Sequence, residues 1–335
     1  MTQVEEIGPL GPTEFDADVR PRHCPVVIRG AARDWPLVEA AGRSAEAALG
    51  YLKSLDTGAQ TEVMIAPPSE RGRFFYRPDM RGFNFGKDQA TLSQLADHLL
   101  RIAGDAEPIG IYAGATATAT HLPRFDADNP FPLAGLLRAQ SRAWLGNAIQ
   151  VASHFDLSDN FAVVALGRRR FTLFPPAATK DLYVGPLNVT IAGQPVSMVD
   201  PLAPDLERYP RFAAARELAQ TADLGPGDAL FVPSLWWHHV EALEPVNVLI
   251  NYWHNDVERG GGFPALIHAM LTIRDLPAPQ RAAWRNWFDH MVFDEHARAA
   301  ADHLPLHGQG VNGPATPERD EAIRQFLLKV LSANG

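Results

Sequence analysis

One cysteine, Cys24, stands in 335 residues, so neither an intrachain disulfide nor a thiolate metal cluster can form. No apolar run approaches the ~20 residues that span a bilayer. The first residues, MTQVEEIGPLGP, have neither the basic start nor the apolar stretch of a secretory leader. Internal repeats and low-complexity tracts are absent. Lysine and arginine number 30 against 39 aspartates and glutamates, a formal net charge of −9 with no basic tail or stripe. A wide nucleic-acid footprint is therefore not expected, although a small basic pocket is compatible with these numbers. Together these absences predict a soluble cytoplasmic protein with no membrane and no nucleic-acid partner.

The composition is that of an ordinary globular chain, 46% hydrophobic and 21% charged, long enough to bury a large core in one elaborated domain. The 26 glycines and 28 prolines punctuate it often, which suits many short strands better than a helical bundle. Residues 24–30 and 61–68 read as strands, and 37–55 as a helix. Thr91 is placed to cap a helix running to about Ala103, with Leu92, Leu95, Leu99 and Ile102 on one face. Residues 74–85 are rich in aromatics, which either line a cleft of the β-rich middle of the chain or, as the leading expectation, pack the N-terminal half onto it. PIGIYAGA at 108–115 reads as a strand, and 121–141 as loop and short helix. Gly225-Pro226-Gly227-Asp228 is a turn, and three strands succeed it, at Ala229–Pro233, His238–Leu243 and Val246–Trp253. Beyond 260 the periodicity becomes helical, at 264–298 and 317–333. The expected order is a mixed α/β elaboration at 1–107, a β core at 108–255 and a helical segment at 256–335.

The chemistry concentrates in residues 150–176. In a strand, residues i and i+2 share a face, so His154 and Asp156 point one way and Phe155 the other. An imidazole beside a carboxylate supplies two ligands of a two-histidine, one-carboxylate iron site, whose third ligand comes from a distant strand. His238-His239 supplies that third ligand from 82 residues beyond Asp156. Only one of the two adjacent histidines can face inward, and the pattern alone does not choose between them. A second His-x-Asp, His254-Asn255-Asp256, sits beside a polar turn and is expected to be superficial.

In Arg168-Arg169-Arg170, the apolar face of the strand holds Arg169, Phe171 and Leu173, so Arg169 is the arginine that points inward. A buried cation needs an anion, which a ligand carboxylate or a protein carboxylate elsewhere in the fold can supply. In the last strand Asn251 and Trp253 share a face, and an inward asparagine either binds a ligand or bridges protein groups.

At PVVIRGAARDWP, HFDLSDNF, GRRRFTLFPP, GPGDALFVPSLWWHHVEAL and NVLINYW, covering roughly 20–255, the chain resembles the JmjC/cupin-8 family of Fe(II)- and 2-oxoglutarate-dependent oxygenases, in particular the asparaginyl hydroxylase of hypoxia-inducible factor and its bacterial relatives. The resemblance implies a mainly β fold, a double-stranded β-helix or jelly roll, with N-terminal α/β additions and C-terminal helices. It implies His154, Asp156 and His238 as the iron ligands. It places Tyr112, Asn160, Arg169, Asn251 and Trp253 around 2-oxoglutarate, with Arg169 where those relatives carry a lysine. Val151 stands where they have a threonine. The implied reaction consumes O2 and 2-oxoglutarate, releases succinate and CO2, and hydroxylates a side chain of a protein or peptide, with a small molecule as the lesser expectation. The family's C-terminal helices imply a homodimer. The competing expectation is a non-catalytic cupin-like module that binds a metal or a small anion.

Overall fold

The computed structural model describes residues 1–137, 139–255 and 261–333. It divides into two compact units, 1–258 and 259–335.

Eleven strands make up the body of the first unit: β1 (Val26–Ile28), β2 (Thr61–Ala66), β3 (Gly110–Ala117), β4 (Gln140–Gly146), β5 (Gln150–Phe155), β6 (Asp159–Leu166), β7 (Arg169–Phe174), β8 (Gln220–Leu224), β9 (Ala229–Val232), β10 (Trp237–Ala242) and β11 (Asn247–His254). They form two facing sheets. The larger runs β1-β9-β6-β11-β4-β3-β2, with short edge strands Glu5–Ile7 and Gly86–Ala90. The smaller runs β8-β7-β10-β5, edged by Thr2–Gln3 and Arg73–Phe74. This is the expected jelly roll with helical additions at both ends. It draws β1 and β2 from residues ahead of 108.

Period-2 alternation explains the layering. β6 is buried on both faces. Phe161, Val163 and Ala165 pack toward the N-terminal helices, whereas Ala162 and Val164 pack between the sheets. The same split sends Phe231 one way and Leu230 and Val232 the other. Strands covered on both sides must be apolar throughout, and each large side chain buried this way contributes roughly 1.5–3 kcal/mol. Phe171, Leu173, Val240 and Leu224 meet them from the smaller sheet. In β11, Val248, Ile250 and Tyr252 face the helices, which leaves Leu249, Asn251 and Trp253 between the sheets.

The helical layer is α1 (Pro36–Arg43), α2 (Ala45–Leu55) and α3 (Leu92–Ile102). The sequence predicts one helix over 37–55. The structure breaks it at Ser44, whose extended backbone ends α1 and whose hydroxyl accepts the Ala47 N–H to start α2. Serine competes for backbone bonds in this way and so favours helix ends. In α3, Thr91 and Gln94 form a reciprocal capping box, and Leu92, Leu95, Leu99 and Ile102 are buried as expected. The Gly225–Asp228 turn needs its glycine: Gly227 has φ of +91°, and a Cβ there would lie 3.1 Å from Arg33 Cα. The carboxylate of Asp228 then ties the turn to Arg29 and to the Gly30 N–H.

The second unit contains α4 (Gly262–Thr272), α5 (Ala278–Phe288) and α6 (Pro317–Ala333). No residue of α4 or α5 is buried. Leu266, Leu271, Trp284, Trp287 and Phe326 are exposed. No helix among the described residues is long and apolar enough to cross a membrane.

Candidate metal centre

β5 and β10 are antiparallel neighbours, and their register sets His154 directly opposite His238. The two rings lie 4.3 Å apart between centroids. Asp156 follows β5 by one residue, and its Oδ2 is 3.8 Å from His238 Nε2. Ligand atoms of His154, Asp156 and His238 all fall within 4.8 Å of one another, close enough to share one ion, and they are the one such group found among the described residues.

Both imidazoles are set for this. His154 Nδ1 is 2.9 Å from the Ala152 carbonyl and His238 Nδ1 is 3.0 Å from the Trp236 carbonyl. A carbonyl only accepts, so each Nδ1 carries a proton and each Nε2 is the nitrogen left to face an ion. Burial, then the neighbouring His154, holds the His238 pKa below the ordinary histidine range, so the ring is neutral and ready to ligate.

His239 points to the opposite face of β10, where Thr172 is its partner across the sheet. Both of its ring nitrogens are buried without a hydrogen bond among the described residues. Burial pushes its pKa down to about 4, against about 6.5 in an unfolded chain. Between those values the unfolded chain binds the extra proton. Stability from this residue is therefore complete above about pH 6.5 and is lost as the pH falls toward 4, at up to about 1.4 kcal/mol per unit. Melting temperatures of the metal-free protein are expected to fall over that interval, and His239→Gln to flatten the fall. An unchanged slope in the variant contradicts the assignment.

The metal-facing atoms open on a cavity lined by Trp144, Val151, Phe171, Val240, Leu249 and Trp253, with Asn160, Arg169 and Asn251 as its polar members. Asn251 donates to Asn160 Oδ1 at 2.6 Å, and Asn160 donates to Asp156 Oδ2 at 3.3 Å. The Trp253 indole N–H reaches the same oxygen at 3.2 Å. Both asparagines and the tryptophan thus bear on the orientation of Asp156. The free space is about 40 Å3, room for an ion and its immediate surroundings.

The three arginines divide by parity. Arg168 pairs with Glu244 at 2.6 Å and Arg170 with Asp223 at 2.7 Å, both on the outer surface. Arg169 is 4% exposed, lines the cavity and has no hydrogen bond or ion pair among the described residues. Desolvation alone pushes its pKa down to about 10, so it remains a cation that lines the cavity with no carboxylate in ion-pair contact among the described residues.

Tyr112 is not among the cavity-lining residues. Its hydroxyl donates to Met64 Sδ at 3.0 Å, and its ring stacks on Trp144. Of the second His-x-Asp, His254 ends β11, and Asp256 lies outside the described residues. Phe75 and Tyr76 pack on Ala152 and Val196, so the aromatic segment packs onto the small sheet beside the site. Sequence reasoning missed β4, which contributes Trp144 to the wall and Arg142 over the Trp253 ring at 5.7 Å. Its signal was available: Ala143 and Leu145 alternate with Arg142 and Trp144.

The sequence profile of the cupin-like domain matches residues 12–260. HSPB1-associated protein 1 of Rattus norvegicus is 40% identical over 117 residues, 34% of this chain and 24% of that protein. The bifunctional peptidase and (3S)-lysyl hydroxylase JMJD7 of Homo sapiens is 26% identical over 274 residues, 74% of this chain and 82% of that protein. The tRNA wybutosine-synthesizing protein 5 of Mus musculus is 35% identical over 96 residues, 29% of this chain and 28% of that protein. The match thus spans about a quarter of the length of the HSPB1-associated relatives. Two sheets that bring two histidines and an aspartate to one cavity, together with a profile match over well more than half its length, place this chain in the cupin-like domain family.

Proposed function

We propose that the protein is an Fe(II)- and 2-oxoglutarate-dependent oxygenase that hydroxylates a side chain of a protein or peptide. The observation that carries this reading is the pairing of the His154–Asp156–His238 cluster with an unpaired, buried Arg169 in one cavity. The donor set fits ferrous iron: the imidazoles of His154 and His238 and the carboxylate of Asp156 would hold it. An anionic co-substrate fits Arg169, whose planar guanidinium suits a carboxylate. Bound together, iron, 2-oxoglutarate and O2 supply oxidation of an unactivated C–H bond, with succinate and CO2 released.

The chain's own residues supply position and dryness. The backbone carbonyls of Ala152 and Trp236 fix the tautomers of His154 and His238. The Asn251–Asn160 relay and the Trp253 indole hold the carboxylate of Asp156. Phe171, Val240, Leu249 and Trp144 exclude water around the reacting groups. Tyr112 contributes to 2-oxoglutarate binding only if its hydroxyl leaves Met64. A protein or peptide substrate is favoured because the lysyl hydroxylase relative matches across most of both chains, whereas the tRNA-modifying relative matches a short stretch.

Calorimetric titration of 2-oxoglutarate with and without Mn(II) tests the reading. Binding is expected only with the metal present, and Arg169→Leu is expected to remove it. Metal-independent binding, or none, favours the non-catalytic module.

A homodimer belongs to the same proposal. The second unit exposes Trp284, Trp287, Leu271 and Phe326 on helices that bury little of their own surface. Light scattering is expected to give twice the chain mass of 36.7 kDa, and Trp287→Glu to give the single-chain mass. A monomeric wild type contradicts the dimer. One exposed cysteine and no disulfide suit the reducing cytoplasm.

A further inference from the structure

A second pocket lies at the edge of the smaller sheet, ≈ 640 Å3 in volume. Its lining includes Lys180, Arg208 and Arg211 and no carboxylate, in a chain whose net charge is −9. The cations are held against aromatic rings. The Arg211 guanidinium lies 4.2 Å from the Tyr183 ring centre and the Arg208 guanidinium 5.1 Å from that of Tyr209, while the two tyrosines pack edge to face at 4.9 Å. Arg211 is partly satisfied by the Lys180 carbonyl at 3.2 Å and by Asp181 at 3.7 Å. The side chains of Lys180 and Arg208 have no ion pair among the described residues. Rings that fix a guanidinium lower the entropy lost when an anion binds it.

The backbone ties this pocket to the metal centre. His154 of β5 pairs with Val196, and the Ser197 N–H donates to the Ser153 carbonyl. On its other side the same segment pairs Ser197 with Val184, and the Gly185 and Met198 N–H groups bond the carbonyls of Val196 and Tyr183. Tyr183, Gly185 and Met198 themselves line the pocket. Three extended segments therefore lie side by side, which sets the pocket wall two strand spacings, ~10 Å, from His154. An extended peptide covers that distance in about three residues.

We propose that this pocket is a specificity site for the substrate peptide, taking an aspartate or glutamate side chain about three residues from the residue that is modified. The proposal rests on the reading of the metal centre as an oxygenase of proteins or peptides. Its occupant is set by charge: three cations and no acid line the pocket, with apolar and aromatic walls for the carboxylate's stem.

Fluorescence anisotropy of the 335-residue protein tests it, with a fluorescein-labelled peptide of alternating glutamate and alanine as probe and the matching lysine–alanine peptide as control. The acidic probe is expected to bind and the basic one not to. The double variant Lys180→Glu/Arg208→Glu is expected to weaken the acidic probe about tenfold or more. Both side chains are exposed, so folding survives the change, and Lys180→Ala/Arg208→Ala is expected to act in the same direction. Asp156→Ala is expected to bind the acidic probe as the wild type does, which separates this site from the metal centre. Equal binding of the two peptides, or undiminished binding by the charge-reversed protein, overturns the proposal. So does tighter binding of an oligothymidylate than of the acidic peptide. Succinate formation by a protein indifferent to the acidic probe would leave the oxygenase standing and remove only this site.

Discussion

Asp156→Ala is expected to abolish 2-oxoglutarate turnover while leaving the fold intact. Asp156 is the one anionic member of the metal cluster, and the hydrogen bonds of Asn160 and Trp253 converge on its Oδ2. Without it, two neutral imidazoles must hold a dication alone. A loss of about 4 kcal/mol in binding and positioning corresponds to about a thousandfold. The cost to the metal-free fold is expected to be small, because Asp156 lies beyond the end of β5 and packs no apolar core. Metal binding followed by Mn(II) paramagnetic resonance, with the melting temperature measured in parallel, separates the two effects. An alanine variant that still binds the metal as the wild type does would remove Asp156 from the ligand set.

Replacing Arg169 is expected to move stability and binding in opposite directions. Its guanidinium is buried, desolvated and unpaired. A buried charge without a partner costs several kcal/mol, and exchanging it for an apolar side chain of similar length removes that cost. Arg169→Met is expected to stabilise the ligand-free protein by about 2 kcal/mol. The same change takes away the one cation in the cavity, so 2-oxoglutarate affinity is expected to fall about a hundredfold, or about 2.7 kcal/mol. Arg169→Lys keeps the charge and is expected to retain affinity within about tenfold, because an ammonium offers a point contact in place of a fork. Chemical denaturation without ligand and calorimetry with it measure the two halves. If Arg169→Met destabilises the free protein, the guanidinium has a structural partner in solution, and its role as an anion site fails.

Periodicity makes much of the barrel legible in the sequence. β6, β7, β9 and β11 are short, largely apolar runs between clear turns, and alternation within β7 and β11 places Arg169, Asn251 and Trp253 between the sheets. Parity also separates Arg168 and Arg170, each with an acidic neighbour on the surface, from Arg169. It could not choose between His238 and His239, since adjacent residues face opposite ways whichever face is inward. The register of β10 against β5 makes that choice, by opposing His238 to His154. Such pairing is a property of two segments far apart in the chain and is not written in either one. β4 escaped because it opens on three consecutive polar residues, Gln140, Ser141 and Arg142, beside a segment rich in helix formers, so its alternation shows only over the last few residues. The hydroxyl contact of Tyr112 with Met64 depends on the pairing of β2 with β3, and neither sequence segment announces it. The basic pocket is assembled from residues around 180 and 208 that have no periodic pattern at all.

The central claim is that one cavity activates 2-oxoglutarate on a metal held by His154, Asp156 and His238. Succinate formed from 2-oxoglutarate under air, measured by NMR with the purified 335-residue protein and Fe(II), tests it most directly. Iron-dependent succinate is expected from the wild type and none from Asp156→Ala. Succinate at the same low level from both proteins, or succinate that does not depend on iron, would contradict it.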